Sequence, residues 1–336
     1  MRPFIARLGE LSLVAAVLAA CSANGGSLPS ATSGSAASLA VPAASAAAPS
    51  RVVSVSSDDV AAAYHVTDFA YRVFPTIPRR VGKPDVKIVY PAQLHYYGGP
   101  YMKTALWHNI YVNCRQGTDG CWGDPQSFQK ALTNSQLVKL LTQYTKAKAG
   151  AYVFSDGTQV QWPTYSKYVY DNDLFSILHA VAKQNGGNFQ TAEYHIFLPR
   201  GVDTCFDGTS ECYSPDVRST FYFCAYHGYV KFSDIGAVTF SVEPYQNVNG
   251  CVYPNLPKGY DPLVNSTDTT LAHETFESIT DTNPSTYKTL AWYNLAYNQE
   301  VADLCDDFPM VQKFGKLKLF IQEMYSNKYH ACANGS

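Results

Sequence analysis

Apolar and polar positions divide the chain into an unpatterned leader and a long patterned body. Residues 11–20 are one apolar run, and residues 22–56 offer almost nothing that forms a buried face. A short helix is expected from Asp58 to about Tyr71. Residues 86–90 alternate and are rich in β-branched and aromatic side chains, which predicts a strand. Tyr96-Tyr97-Gly98-Gly99-Pro100 is a turn signal, and residues 106–112 form a second predicted strand. Asp124-Pro125 opens a helix predicted over 126–148, with Phe128, Leu132, Leu137, Leu140, Leu141 and Tyr144 as its apolar positions and Gly150 as its end. A strand at 151–154, a helix over 171–184 stopped by Gly186-Gly187, and strands at 193–198 and 237–242 follow. Residues 199–224 and 250–262 are rich in turn formers and read as loops. A last helix starts near Ser266 or Asp268, which can cap it, and stops before Pro284. Its Leu271, Ala272, Phe276 and Ile279 suit packing on a core. The sum is an α/β (α+β) chain: a mixed twisted sheet with packed helices and a late helix, in a single domain over residues 57–336.

That late helix holds the chemistry. On a helix, residues four apart are neighbours on one face, so His273 and Glu277 can converge on one cation. Glu274 lies about 100° around the turn, where it can hold a water beside that cation. The arrangement has the logic of the His-Glu-x-x-His zinc helix with glutamate replacing the second histidine, and carboxylate oxygen is an ordinary zinc ligand. In gluzincin peptidases a glutamate on a following helix supplies the third ligand, and an acid one turn later orients the first histidine. Glu300 and Asp303 resemble those two roles, with a spacing of three instead of four. Asp281 competes for a place near the metal. It lies about 12 Å along a straight helix from His273, so sharing the ion requires an early break. Glu300 is therefore expected as third ligand beside His273 and Glu277. Glu274 is expected as the base, and His227 or Tyr293 as the group facing a developing oxyanion.

Composition narrows the setting. The chain of 336 residues is 46% hydrophobic but only 15% charged, with 25 tyrosines and a net charge of −2. No Lys/Arg run or basic–aromatic stripe argues for nucleic acid, and neither a phosphate-cradling glycine loop nor a Gly-x-Ser-x-Gly elbow occurs. Arg2 and Arg7 precede the apolar run, which is too short to span a bilayer, so residues 1–20 are expected to be a signal peptide. The run ends in Leu18-Ala19-Ala20-Cys21, which resembles a bacterial lipobox. It implies lipidation of Cys21 and a membrane association through lipid alone. Residues 21–56, rich in Ser and Ala, are expected to be a disordered tether. Of nine cysteines, eight remain after Cys21, an even number suited to an oxidising compartment. Four disulfides allow 105 connectivities. The expected one pairs neighbours: Cys114–Cys121, Cys205–Cys212, Cys224–Cys251 and Cys305–Cys332. No Cys-x-x-Cys pair supports a cysteine zinc cluster.

Several stretches together resemble the EXORDIUM (phosphate-induced protein) family. They are Tyr97-Gly98-Gly99-Pro100, residues 223–228 (FCAYHG), residues 273–281, Ala291-Trp292-Tyr293 and residues 300–305 (EVADLC), in matching order over about residues 86–307. The resemblance implies a secreted protein with bacterial relatives. No chemistry is firmly assigned to that family, and the plant growth role of its best-known members does not carry over to a lipobox-bearing chain. The expectation is an exported zinc-dependent hydrolase, peptidase-like, acting on a peptide or cell-wall peptide bond. The alternative is a cell-surface protein on a zincin-like scaffold that binds without cleaving, with Ca²⁺ or no ion in the site and surface tyrosines stacking on glycan.

Overall fold

Strands buried on both faces lose the alternation that marks a half-exposed strand and become continuous apolar runs. Such runs build the centre of this protein. The computed structural model describes residues 51–75, 93–114, 121–162, 167–185, 189–206, 210–286 and 288–335. The elements run β1 (Arg51–Ser54), α1 (Ser57–Tyr64), β2 (Asp68–Pro75), β3 (His95–Tyr96), β4 (Ala105–Val112), α2 (Pro125–Leu132), α3 (Gln136–Lys139), α4 (Thr142–Thr145), β5 (Tyr152–Gln161), β6 (Tyr168–Val169) and α5 (Asp171–Asn185). Then come β7 (Ala192–Phe197), β8 (Asp203–Cys205), β9 (Cys212–Tyr213), β10 (Phe223–Phe232), β11 (Gly236–Glu243), α6 (Pro262–Thr280), β12 (Trp292–Tyr293), β13 (Pro309–Phe314), β14 (Leu317–Gln322), β15 (Met324–Ser326) and β16 (Ala331–Ala333). A seven-stranded mixed sheet has the order β1-β5-β4-β7-β11-β10-β2. Its first five strands are parallel, and β10 runs antiparallel to both of its neighbours.

Two apolar cores flank the sheet. Ile110, Ile196, Val238 and Val242 belong to one, with α5 contributing Leu174, Ile177, Leu178 and Val181. Trp107, Tyr111 and Phe197 belong to the other, with Leu271, Ala272, Phe276 and Ile279 of α6. All four α6 residues are fully buried, each large one contributing about 1.5–3 kcal/mol. Helix α6 also packs on β14, so every residue from Asn265 to Thr280 is buried. Its hydroxyls partly satisfy themselves: Thr270 donates to the Ser266 carbonyl at 3.2 Å and Thr280 to that of Phe276 at 2.9 Å.

Several sequence expectations are corrected. Arg51–Ser54 pairs in parallel with β5, so the sheet begins inside the stretch expected to be tether (21–56), ahead of residue 57. The helix expected from Asp58 to Tyr71 ends at Tyr64, and β2 takes up the remainder as an edge strand. The helix expected over 126–148 is three short helices. Thr133-Asn134-Ser135 breaks it, and the Ser135 hydroxyl caps α3 through the Val138 amide at 3.0 Å. The late helix starts earlier than Ser266. Asp261 caps it by accepting from the Leu263 and Val264 amides, with Pro262 in the first turn, and it ends at Thr280. The strand expected at 86–90, Cys21 with its lipidation, and the leader through residue 50 lie outside the described residues.

The four disulfides are Cys114–Cys121, Cys205–Cys212, Cys224–Cys251 and Cys305–Cys332. They suit an oxidising compartment and hence an exported protein. Among the described residues, no helix is long and apolar enough to cross a membrane.

Candidate metal centre

Paired positions on neighbouring strands point to the same face of a sheet. Asn109, His195, Ser241, His227 and Arg72 are such partners across β4, β7, β11, β10 and β2. This row of polar side chains lies on the face that α6 covers. Helix α6 brings His273, Glu274 and Glu277 down onto it. The segment after β12 brings Glu300, and a 3₁₀ turn (Asp303–Cys305) followed by Asp306 completes the set. His227, His273, Glu274, Asp281 and Glu300 are all 0% exposed.

The helical pair meets as the spacing requires: His273 Nε2 lies 3.1 Å from Glu277 Oε2. Asp303 Oδ1 faces the same nitrogen at 3.5 Å. The other ring nitrogen, Nδ1, faces Gln322 Oε1 at 3.2 Å and Asp306 Oδ1 at 3.4 Å. The Gln322 amide is itself held, its Nε2 donating to the Ala302 carbonyl at 3.1 Å. His227 Nδ1 lies 3.0 Å from Glu274 Oε2 and 3.5 Å from Glu277 Oε2, while its Nε2 is 3.8 Å from Glu300 Oε1. Glu277 Oε1 accepts the Asp303 amide at 3.0 Å, which ties the turn to the helix. Two donor groups result: His273, Glu277 and Asp303, and His227, Glu274 and Glu277.

These contacts redistribute the expected roles. Asp303 occupies the place beside His273 and Glu277 where Glu300 was expected. Glu300 sits on the His227 side, on irregular backbone and not on a following helix. Asp303, expected to orient His273, faces its Nε2, while Gln322 and Asp306 face its Nδ1. His227 joins Glu274 and Glu277 in the second donor group. Asp281 caps the end of α6, and its Oδ1 accepts the Ala291 amide at 3.0 Å. Tyr293 is buried, donates to Asn298 Oδ1 at 2.9 Å, and carries the Arg72 guanidinium 5.2 Å from its ring centre. Trp292 packs against Tyr96 and Tyr144. Arg72, Asp306 and Gln322 were not singled out from the sequence. Asp306, three residues beyond Asp303, had a spacing signal. A lone glutamine on a C-terminal strand and a lone arginine on an edge strand had none.

Burial dominates the electrostatics. It would lower the His273 pKa, but Glu277, Asp303 and Asp306 raise it well above the ordinary histidine value. His227 moves the other way: burial, then the charges of His273 and Arg72, push it well below. Burial raises Glu274 and Glu300 well above the carboxylate range. It pushes Glu277 to about 7 with the help of Asp303. Asp281 and Asp306 are likewise pushed to about 7, mainly by burial. Burial also raises Tyr293, which keeps its hydroxyl protonated as a donor. The centre therefore has more carboxylates than the cations present can neutralise. Imidazole nitrogen with carboxylate oxygen is a donor set that suits zinc and neighbouring divalent metals. Comparison with known protein families, curated proteins and solved structures finds no match to this chain.

Proposed function

We propose that the protein is an exported metal-dependent hydrolase, with His273, Glu277 and Asp303 as ligands of its ion. One observation carries the reading: an imidazole nitrogen and two carboxylate oxygens from a helix and a separate turn meet inside the protein within 3.5 Å of the nitrogen. The nitrogen that faces the acids is freed for an ion because the other faces Gln322 and Asp306. When bound, zinc in such a site supplies Lewis acidity to a substrate carbonyl and to water.

The chain's own groups supply the rest. Glu274 is within the same buried pocket of charge, and its Oε1 has no hydrogen-bond partner among the described residues. Burial makes it a stronger base than an exposed carboxylate. It takes the proton of the attacking water and hands it to the leaving nitrogen. The Arg72 guanidinium is the donor for the charge that develops on the carbonyl oxygen, and the Tyr293 hydroxyl joins it only by turning from Asn298 Oδ1, to which it donates in this structure. The substrate we propose is a peptide or cell-wall peptide bond. The EXORDIUM resemblance and a lipid anchor at Cys21 form part of the same proposal.

Glu274→Gln tests it. This change keeps shape and removes the base, so turnover on a broad peptide library should fall by about 10²–10⁴-fold while the zinc-loaded protein keeps its fold. Equal inactivity of wild type and variant would favour the binding protein that does not cleave.

A further inference from the structure

The reading above needs one ion, yet the buried donors suit two. Building on it, we infer that the centre holds a pair of divalent cations, with Glu277 between them. The second position is formed by His227, Glu274 and Glu277, beside the first formed by His273, Glu277 and Asp303. In each trio the ligand atoms lie within 4.8 Å of one another.

The two sides of Glu277 are not equivalent. Oε1 is pinned by the Asp303 amide at 3.0 Å. Oε2 faces His273 Nε2 at 3.1 Å and His227 Nδ1 at 3.5 Å. A carboxylate oxygen set between two imidazoles, on a residue that cannot turn away without losing the hydrogen bond it accepts from the Asp303 amide, is built to be shared. The second observation is independent of that geometry. Among the described residues, His227 Nε2, Glu274 Oε1 and both carboxylate oxygens of Glu300 have no hydrogen-bond partner, although all three residues are 0% exposed. Buried polar atoms are rarely left so. On the first side His273 Nε2, Glu277 Oε2 and Asp306 Oδ1 are without such a partner as well, so buried atoms stand unpaired on both sides of Glu277, and a single ion on His273 would not serve those on the His227 side.

Charge points the same way. The carboxylates of Glu274, Glu277, Asp281, Glu300, Asp303 and Asp306 share this buried centre with the Arg72 guanidinium, so with both histidines neutral as ligands the six ionised acids leave five negative charges. One divalent cation removes two of these and a pair removes four. Two ions a few ångströms apart are also a familiar arrangement in hydrolases, aminopeptidases among them. Glu274 then offers Oε2 to the second ion and keeps Oε1 for the proton.

The experiment uses the full chain, stripped of metal and titrated with Zn²⁺, with bound zinc counted by mass spectrometry of the metal after dialysis. A parallel sample is loaded with Mn²⁺ for electron paramagnetic resonance. We expect two equivalents of zinc and a spin-coupled Mn²⁺ spectrum in the wild type. Glu274→Gln and Asp303→Asn should each retain one equivalent and lose the coupling. Since Asp303 lies on a partly exposed turn, D303N guards against a folding failure of the helix variant. A wild type that binds one equivalent overturns the pair and leaves the hydrolase reading intact. Two equivalents without any hydrolysis support the pair and sink the hydrolase. Two equivalents retained by Glu274→Gln overturn the second position as assigned, and no binding at all overturns both.

Discussion

Replacing Gln322 by Leu isolates the orientation of His273 from its ligand role. Gln322 Oε1 faces Nδ1 of that ring at 3.2 Å, and its amide nitrogen donates to the Ala302 carbonyl at 3.1 Å. Leucine has similar bulk and no polar atoms, so the packing stays and both bonds go. Groups that orient a ligating histidine typically contribute 10–100-fold to metal affinity, about 1.4–2.7 kcal/mol. Asp306 Oδ1 remains 3.4 Å from the same nitrogen. Because it can accept the proton in place of Gln322, the expected loss lies at the lower bound, about tenfold. The metal-free protein should also lose about 1–3 kcal/mol, because the Ala302 carbonyl and part of the imidazole are left buried without a partner. Zinc competition against a chromophoric chelator reads the first quantity, and urea unfolding of the metal-free protein reads the second. Gln322→Glu, which restores an acceptor, should bind zinc as tightly as wild type or more so. If Gln322→Leu destabilises the metal-free protein but leaves zinc affinity within twofold, the orientation argument is refuted and Gln322 is structural only.

Away from the centre, burial alone would raise the pKa of Asp59, but Lys183, Ser56 and His179 hold it at about 2, below its ordinary 3.8. The unfolded chain therefore takes up this proton first. The resulting stability is complete above about pH 5 and is lost as pH falls through about 2, an effect of roughly 2 kcal/mol. Urea midpoints between pH 2 and 6 should show that slope in wild type and not in Asp59→Asn. Gly99→Ala should destabilise by about 3 kcal/mol or more. A Cβ there would lie 1.9 Å from the Thr289 carbonyl oxygen and 2.5 Å from the Leu290 carbonyl, and thermal melting would reveal the cost. Replacing both Cys305 and Cys332 by Ser opens a loop with a sequence separation of 27, worth roughly 3–4 kcal/mol on chain entropy, and should also weaken zinc by loosening the turn that carries Asp303. An unchanged melting temperature and zinc affinity would contradict this.

The legible parts of the chain were those governed by local rules. The spacing of His273 and Glu277 predicted their contact, because four residues on a helix have no other geometry available. Strands β4, β7 and β11 and helix α5 were readable from apolar runs and stop signals. The break after Leu132 was hidden because Leu132, Leu137, Leu141 and Tyr144 are all buried on both sides of it. An apolar rhythm shared by separate helices on one core reads as one helix. The Asp261-Pro262 start was passed over because the stretch before it is rich in turn formers. The site's remaining partners are set by topology: His227 reaches Glu274 across 47 positions, and Gln322 reaches His273 across 49. No pattern along the chain encodes such distances.

The buried polarity around α6 is costly, and an apolar version of the same packing would be easier to stabilise. His195 Nδ1 lies 2.8 Å from the Ser241 hydroxyl, which in turn donates to Glu243 Oε1 at 2.9 Å. That hydroxyl has one proton, so the histidine must carry its own on Nδ1, and burial with the charge of His108 pushes its pKa down to about 3. Neutral and fixed in one tautomer, His195 contributes direction without charge. The acids above it are held as firmly. The turn bearing Glu300 to Asp306 is tied to α6 by the Asp303 amide, to β15 by the Tyr325 amide on Val301, and to β14 by Gln322 on Ala302. Helix α6 is tied to β14 by Asn265, whose side chain accepts the Phe320 amide at 2.6 Å. These bonds are made by the chain itself, so they hold the proposed ligands in place independently of an ion. An ion entering such a site need order no side chain, and its binding energy goes into relieving the repulsion among acids already in place. This is why the carboxylates can be both destabilising to the metal-free fold and favourable to the function proposed for it.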